Sequence, residues 1–322
     1  VDVMKLLAGV TDDMDGLREH ASGGVDVRMA AEVAREVLAR SFRNQEAREK
    51  GEHIQVRTGF DELDDLTGGL YRGELAVLSG RPSMGKTAVA LHMALQAARA
   101  GRNTLYFSIE MSEEEVTERI LSMLSGVEAG KIRFKGTNRE ERALLEKAAA
   151  ELAGLPLRIV YCGSLAIDEI RAVLMTRKAR RELDIFFIDY LNLIHIPYTR
   201  GSRNETTDLA LGDVVRKVAV ELDVPAVLLA QMNRDSDRRL APYLPILSDL
   251  RNSGAIEQVA DQVIFVYRAE KYGILYDKDT KEDLRGVGYL LVAKNRNGAT
   301  GRARFRYNVS MTRFLSYENR LL

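Results

Sequence analysis

The chain has 322 residues, of which 46% are hydrophobic, and its 47 lysine and arginine residues balance its 47 aspartate and glutamate residues. This length suits one large α/β domain with an appendage, and the zero net charge excludes a global basic field for nucleic acid, so any such contact must come from local loops. The sequence contains no apolar stretch long enough for a membrane span and no signal sequence, so we expect a cytoplasmic protein without a membrane partner. It contains only one cysteine, Cys162, so we expect no disulfide within the chain.

Residues 1–54 are expected to form an N-terminal segment that contains one amphipathic helix, from Val27 to about Lys50. This helix must bury its apolar stripe either on the chain's own main domain or on a neighbouring subunit. Because the chain begins with Val1 rather than Met, we expect a processed form or a fragment of something longer. The stripe consists of Met29, Val33, Val37, Leu38 and Phe42.

The main domain is expected to span residues 55–322, where apolar runs alternate with helical patterns. This alternation predicts an α/β fold with a mostly parallel, twisted sheet flanked by helices, whose last strands turn antiparallel. Ligands bind such sheets at the carboxyl ends of strands, so polar residues directly after the apolar runs are candidates. Three irregular polar stretches, 197–207, 232–247 and 268–286, are candidate functional loops. The predicted strands lie near 75–79, 104–108, 157–160, 184–188, 225–230, 262–267, 288–294 and 302–308.

Residues 80–87 form a complete phosphate-loop motif, G-x-x-x-x-G-K-[ST], between a predicted strand and a predicted helix. Gly80 and Gly85 allow the backbone to curl, so that N–H groups and the helix N-terminus surround the phosphates. Lys86 is expected to neutralise the β and γ oxygens, and the Thr87 hydroxyl to bind Mg²⁺. The chain is therefore predicted to bind a nucleoside triphosphate. The candidate binding residues are Gly80, Arg81, Pro82, Ser83, Met84, Gly85, Lys86, Thr87 and Ala88.

Three polar residues follow other predicted strands. Glu110 is a candidate general base for the water that attacks the γ-phosphate, or an exposed strand-end carboxylate; Ser112 and Glu115 after it predict a capping box. Asp189 follows four apolar residues in the Walker B pattern and is a candidate Mg²⁺ ligand. Gln231 is a candidate γ-phosphate sensor, or an ordinary surface amide.

Two cations, Lys294 and Arg296, lie two residues apart at the end of the second-last predicted strand, next to a tight hairpin turn predicted at Asn297 and Gly298. They are either a solvated pair on a hairpin or a pair that reaches a phosphate bound by a neighbouring subunit. An arginine supplied across an interface would couple hydrolysis to subunit contact.

Six segments, in family order, resemble the motifs of DnaB-type replicative helicases. This resemblance implies a RecA-like P-loop ATPase, an ATP- and Mg²⁺-dependent DNA helicase that assembles as a hexameric ring around single-stranded DNA, translocates on it and unwinds duplex. The segments are 80–87, 107–111, 188–191, 229–234, 247–258 and 293–298.

The same resemblance implies roles for single residues. Glu110 is the catalytic base, Asp189 the Walker B acid and Gln231 the γ-phosphate sensor. Lys294 and Arg296 correspond to the residues that act on the neighbouring subunit's nucleotide. The remaining implied roles are phosphate and Mg²⁺ binding by Lys86 and Thr87, and nucleotide contact by Arg119, for which an ion pair with Glu115 is an equally good local explanation.

The DNA-facing loop is also implied by the resemblance. Arg251 and backbone N–H groups near Gly254 would contact phosphates, which gives affinity without sequence readout. The family usually has Glu where this chain has Asn252, although an amide can donate to phosphate where a carboxylate cannot. The implied DNA-binding residues are Arg251, Asn252, Ser253 and Gly254; Arg234, Arg238 and Arg239 form a further candidate positive loop or a solvated one.

The family carries a further N-terminal domain ahead of the linker helix, and about 50 residues cannot contain it. Primase and loader docking are therefore expected through regions outside this chain. The oligomer, expected as a hexamer, could instead be an open spiral, a filament or a monomer. Two other functions stay open: a RecA- or RadA-type recombination ATPase, which the segment 249–258 and the Lys-x-Arg hairpin disfavour, and a nucleotide-switched assembly ATPase without unwinding activity.

Overall fold

The computed structural model of the chain describes residues 28–50, 54–161, 165–189, 194–195, 205–232, 244–250, 254–308 and 313–317. The chain divides into two units, residues 1–54 and residues 55–322. In the first unit, helix α1 (Ala30–Glu49) forms where the apolar stripe predicts it. The stripe side chains are exposed, from 37% at Val33 to 70% at Met29. The role of this helix as a linker remains a prediction.

In the second unit, nine of the described strands form one sheet in the order β11-β10-β9-β8-β1-β7-β5-β2-β3. The strands from β8 to β3 are parallel, and β9, β10 and β11 are antiparallel, as the sequence predicts. The strands are β1 Leu75–Gly80, β2 Thr104–Ser108, β3 Leu157–Tyr161, β4 Leu165–Ala166, β5 Ile185–Asp189, β6 Ile194–His195, β7 Ala226–Gln231, β8 Gln262–Tyr267, β9 Val287–Asn295, β10 Gly301–Tyr307 and β11 Phe314–Ser316.

Helices cover both faces of this sheet. Along β1 the side chains alternate: Ala76 and Leu78 join the hydrophobic core beneath helix α3 (Lys86–Arg99), and Leu75 and Val77 join the core beneath helix α7 (Glu205–Leu222). Burial on both faces explains why the central strands are continuous apolar runs. The remaining α-helices are α2 Asp61–Thr67, α3 Lys86–Arg99, α4 Glu113–Ser125, α5 Arg139–Ala153, α6 Ile167–Ala179, α7 Glu205–Leu222 and α8 Gly254–Val259, with a π-turn at Lys131–Lys135 and 3-10 turns at Leu247–Leu250 and Ala269–Tyr272.

All eight predicted strands form, whereas β4, β6 and β11 were not predicted because two or three residues are too few to show a period. The tight hairpin turn predicted at Asn297 and Gly298 is wrong. The pairing of β9 with β10 ends at Val292 and Gly301, so the connection is longer than a two-residue turn. The last residues of β9 pair with β8 instead, so β9 continues beyond the end of its pairing with β10.

The three polar stretches differ in what the structure describes. Residues 197–204 and 233–243 lie outside the described residues, and 205–207 belong to α7. Segment 268–286 contains the turn Ala269–Tyr272 and an antiparallel bridge between Tyr276 and Asp283. No described helix combines the length and the apolar character that crossing a bilayer requires.

Candidate nucleotide-binding site

The phosphate loop lies at the carboxyl end of β1, at the centre of the sheet. β1 ends at Gly80, and α3 begins at Lys86. A Cβ atom at Gly80 would come within 3.0 Å of the Val266 carbonyl oxygen, so glycine permits the close approach of β8. Gly85 has φ +94°, and no side chain in the described part of the chain caps the start of α3. The first N–H groups of this helix are therefore suited to an anionic ligand.

Lys86 lies half-buried in the loop, where its Nζ atom donates to the carbonyl oxygen of Ala230 in β7 at 3.3 Å. Burial lowers the pKa of Lys86 to about 8, although the carboxylates of Asp189 and Glu110 act in the opposite direction. A bound polyphosphate would favour the charged form of this amine. The ammonium group is therefore placed to gain stability from an anionic ligand.

Asp189 ends β5 and is buried, with 5% of its surface exposed. Its Oδ2 atom accepts a hydrogen bond from the Tyr106 hydroxyl at 2.8 Å, and Thr87 also hydrogen-bonds to this carboxylate. Burial raises the pKa of Asp189, while these hydrogen bonds and the Lys86 charge favour its ionised form. The structure therefore brings together the two side chains that the sequence predicts as Mg²⁺ ligands.

Tyr106 was not among the residues predicted from the sequence. It lies in β2, is fully buried, and orients the Asp189 carboxylate through its hydroxyl. Burial and the Asp189 charge raise its pKa, so the hydroxyl stays a donor. The sequence feature that could have indicated its role is a tyrosine inside an otherwise apolar strand, because a buried hydroxyl needs a hydrogen-bond partner.

Glu110 follows β2 and is exposed. The turn that carries it is held to the end of β5, because the N–H of Ile109 donates to the carbonyl oxygen of Asp189 at 2.8 Å. The Ser108 hydroxyl also donates to the Met111 carbonyl oxygen at 2.6 Å. Glu110 is near enough to influence both Lys86 and Asp189 electrostatically, which is compatible with a carboxylate facing the phosphate region.

Gln231 ends β7 directly beside the loop, since it pairs in register with Gly80. It is partly exposed. The preceding residue, Ala230, accepts hydrogen bonds at its carbonyl from the Ser79 hydroxyl at 3.0 Å and from Lys86. The amide therefore lies one strand away from the start of the phosphate loop, and its role as a γ-phosphate sensor remains a prediction.

Arg119 lies in α4, near Tyr106 and Glu115. The pKa of the Glu115 carboxyl is lowered mainly by a hydrogen bond from Arg133, and less by the charge of Arg119. The ion pair of Glu115 is formed with Arg133, at 2.7 Å. The predicted capping box between Ser112 and Glu115 is confirmed. Glu115 therefore pairs with Arg133 rather than with Arg119, which weakens the local explanation for Arg119. A contact of Arg119 with nucleotide remains a prediction.

Segment 268–286, whose role the sequence left open, supports the phosphate loop. Buried Arg268 donates to the carbonyl oxygen of Ser83 at 3.4 Å and pairs with Glu270 at 2.7 Å. Arg81 donates to the Tyr272 hydroxyl at 3.0 Å. Ser83 has φ +65°, an uncommon conformation for a residue other than glycine, and these contacts help to hold it.

Lys294 and Arg296 lie at the other edge of the sheet. Arg296 pairs with Asp261 at 2.9 Å, and the same carboxylate accepts the backbone N–H of Leu75, the first residue of β1. Lys294 donates to the carbonyl oxygen of Glu257 at 2.5 Å. Since β1 has six residues, its length separates this pair from its own phosphate loop by about 17 Å. Neither side chain is long enough to reach a ligand at its own phosphate loop.

Most of the predicted DNA-facing residues lie outside the described part of the chain. Arg251, Asn252 and Ser253, like Arg234, lie outside the described residues. Gly254 begins α8. Among the described residues, no group of three or more histidine, cysteine, aspartate or glutamate side chains forms a candidate metal centre. A cation at Thr87 and Asp189 would therefore need further ligands from phosphate and water.

Comparison with known proteins agrees with this geometry. Residues 55–316 match the model of the DnaB-like helicase C terminal domain. The replicative DNA helicase DnaB of Rickettsia bellii is 31% identical over 94% of this chain, which spans 66% of that relative, just under two thirds of its length.

Two solved structures have the same fold. One, described as an ATPase domain, superposes with a TM-score of 0.78 at 28% identity, over 87% of this chain and 97% of that one. A DnaB-like replicative helicase, described with its interactions with primase, superposes with a TM-score of 0.76 at 27% identity, over 98% of this chain and 74% of that one. The chain belongs to the DnaB-like helicase C-terminal domain family.

Proposed function

We propose that this chain is the motor part of a replicative DNA helicase, which hydrolyses ATP with Mg²⁺, translocates on single-stranded DNA and unwinds duplex. One observation carries the proposal most: the phosphate loop and Arg296 lie at opposite ends of the same central strand. Copies stacked head to tail would bring the Arg296 end of one copy to the phosphate loop of the next. The family membership supports this function over a recombination or assembly ATPase.

The residues of the loop fit a magnesium-bound triphosphate. The uncapped start of α3 and Lys86 supply positive charge for the phosphates, and Thr87 and Asp189 supply the hard oxygen ligands that Mg²⁺ prefers. When bound, the metal would neutralise charge that develops on the β and γ oxygens. The phosphates would lie against the loop, Gly80, Arg81, Pro82, Ser83, Met84, Gly85, Lys86, Thr87 and Ala88, with Arg119 nearby.

Hydrolysis requires a positioned water molecule. Glu110 is proposed as its general base because this carboxylate follows β2 on the phosphate side of the sheet. Gln231 is proposed to sense the γ-phosphate from β7. Lys294 and Arg296 are proposed to act in trans, where a cation stabilises charge on the transferring phosphoryl group.

This arrangement supports an oligomer, and we propose a hexameric ring that works in the cytoplasm. The apolar stripe of α1 would provide a further contact between copies, since a helix in water seldom leaves such a stripe uncovered. Single-stranded DNA would contact the loop that contains Arg251, Asn252, Ser253 and Gly254. Primase and a loader would dock through regions outside this chain.

The direct test is unwinding of a forked duplex by the purified chain, with sedimentation measured beside it. ATP and Mg²⁺ should convert the chain to a larger oligomer, and single-stranded DNA should stimulate both ATP hydrolysis and strand separation. Strand exchange without unwinding would indicate a recombination ATPase. ATP-dependent assembly without any DNA stimulation would indicate an assembly ATPase.

The lowered pKa of Lys86 predicts that ATP affinity depends on pH. The free lysine loses its proton as pH rises through about 8, whereas a bound triphosphate raises its pKa, so binding takes up a proton. Affinity should therefore weaken above pH 8, by up to about tenfold per pH unit. Titration calorimetry in buffers of different ionisation enthalpy measures this uptake. Lys86→Arg, which cannot deprotonate, should bind with a flat pH profile; an equal slope in both proteins would contradict the assignment.

Arg296→Ala should retain nucleotide binding and lower the ATP turnover rate by about 10³-fold, because the arginine acts on the neighbouring copy. Mixing this variant with Glu110→Gln provides the decisive measurement. In mixed oligomers, some interfaces join an intact Glu110 to an intact Arg296, so ATPase activity should reappear. Arg302→Ala, on the adjacent strand, is the control and should hydrolyse normally. A mixture no more active than its components would exclude action in trans.

Arg251→Ala should weaken binding to single-stranded DNA while basal ATPase activity is kept. Loss of one phosphate contact should reduce the slope of log affinity against log salt by about 0.7. Fluorescence anisotropy with a labelled oligonucleotide at several salt concentrations measures both quantities. Unchanged affinity and slope would remove Arg251 from the proposed DNA loop.

A further inference from the structure

A buried aspartate, Asp261, lies directly before β8, at the sheet edge opposite the phosphate loop. It is 3% exposed. Its Oδ2 atom accepts the N–H of Leu75 at 3.0 Å, and its own N–H donates to the Leu75 carbonyl oxygen at 2.9 Å. A buried carboxylate is costly unless its oxygens are paired. The start of β1 therefore holds this carboxylate in place.

Two guanidinium groups complete the pairing of Asp261. Arg216, from α7, donates through Nε to Oδ2 at 3.2 Å and through Nη2 to Oδ1 at 3.3 Å. Arg296 donates through Nη1 to Oδ1 at 2.9 Å, and its backbone N–H donates to the Asp261 carbonyl oxygen at 2.9 Å. One carboxylate thus lies between two cations, and these three groups together carry one net positive charge. The Glu74 carboxylate and the Lys294 ammonium are also within electrostatic range of them.

Arg296 is held at one side and accessible at the other. Its Nη2 atom donates to the Gln258 carbonyl oxygen at 2.5 Å, and 38% of its side chain is exposed. The contacts to Asp261 and Gln258 use two of the five N–H groups of the guanidinium. Because Asp261 is shared between Arg216 and Arg296, it orients Arg296 without pairing with that cation alone.

We propose that Asp261 is a positioning residue for Arg296, and that Arg216 keeps this carboxylate from neutralising it. The inference rests on the proposed function, since it takes Arg296 as the group that reaches the next copy's triphosphate. A cation fixed before the reaction stabilises transition-state charge better than a mobile one. Neither Asp261 nor Arg216 is predicted to touch nucleotide.

Asp261→Asn is the first test, because an amide oxygen can still accept the Leu75 N–H while the charge is lost. The variant should lower kcat for ATP by about 10- to 100-fold, as expected when a catalytic group is misplaced by about 1 Å. Its Kd for ATP should stay within about twofold of the parent value, since the phosphate loop lies at the far end of β1. An unchanged kcat would overturn the proposal.

Asp184→Asn is the matched control. Asp184 precedes β5 at the same sheet edge and accepts the N–H of Asn103 at 2.8 Å, as Asp261 accepts that of Leu75. Both carboxylates hold a neighbouring strand, but Asp184 has no contact with Arg296 among the described residues. Thermal unfolding should show similar losses for both variants, and only Asp261→Asn should lose turnover. Equal losses of turnover would mean that Asp261 is structural only.

Arg216 supplies a second, independent test that does not alter the buried carboxylate. Arg216→Ala leaves Asp261 to Arg296 alone and should lower kcat, whereas Arg216→Lys keeps the balancing charge and should restore most of it. Failure of lysine to restore turnover, or normal turnover in Arg216→Ala, would contradict the charge-balancing role.

A double-mutant cycle separates this inference from the proposed function. If Asp261 acts through Arg296, Asp261→Asn should add almost no further loss in an Arg296→Ala background. Multiplying losses would overturn the positioning role while leaving the trans-acting arginine intact. Normal hydrolysis by Arg296→Ala alone would instead overturn the proposed function.

Discussion

β1 is hydrogen-bonded on both sides by parallel strands, β7 and β8, and this pairing decides where each functional side chain lies. The register places Gln231 beside Gly80, and the Ala230 carbonyl within reach of Lys86. Because the strands are parallel, their carboxyl ends meet at one edge, where β5 brings Asp189 and β2 leads to Glu110. A shift of one residue in this register would turn the core side chains of β1 to the wrong face.

Buried or half-buried charged groups lie at both ends of β1, and each end is balanced differently. At the carboxyl end, Lys86 and Asp189 are desolvated, and Tyr106 and Thr87 satisfy the carboxylate by hydrogen bonds. Such a pocket gains stability when a phosphate and a cation enter, because both buried groups then have stronger partners. At the other end, Asp261 is balanced within the chain by guanidinium groups.

This asymmetry gives the proposed motor its direction of assembly. In this proposal, the end that binds nucleotide is completed by a second copy, and the other end presents a cation too far from its own phosphate loop to act there. An interface between unlike ends can close into a ring, and each site would then report on its neighbour. The buried, doubly paired strand between the two ends would fix their separation, as the proposed hydrolysis cycle around a ring requires.

Much of this could be read from the sequence, because its signals are local. The phosphate loop, the eight longer strands and the polar residues that follow them all depend on contiguous residues whose pattern reflects burial and turn chemistry. The sequence misleads at one turn: Asn297-Gly298 is a strong signal for a two-residue hairpin, but the end of β9 pairs with β8 and the connection to β10 is longer.

Tyr106 and Asp261 could not be assigned from the sequence, because their partners are distant along the chain. Tyr106 meets Asp189 only when β2 and β5 become neighbours, and Asp261 meets Arg216 and Arg296 only when α7 and the end of β9 converge on the start of β1. The sequence by itself determined the nucleotide-binding loop and the order of the motifs. Only the tertiary structure decided which charges face each other. Contacts between residues that are distant along the chain depend on strand order, and local sequence patterns do not determine strand order.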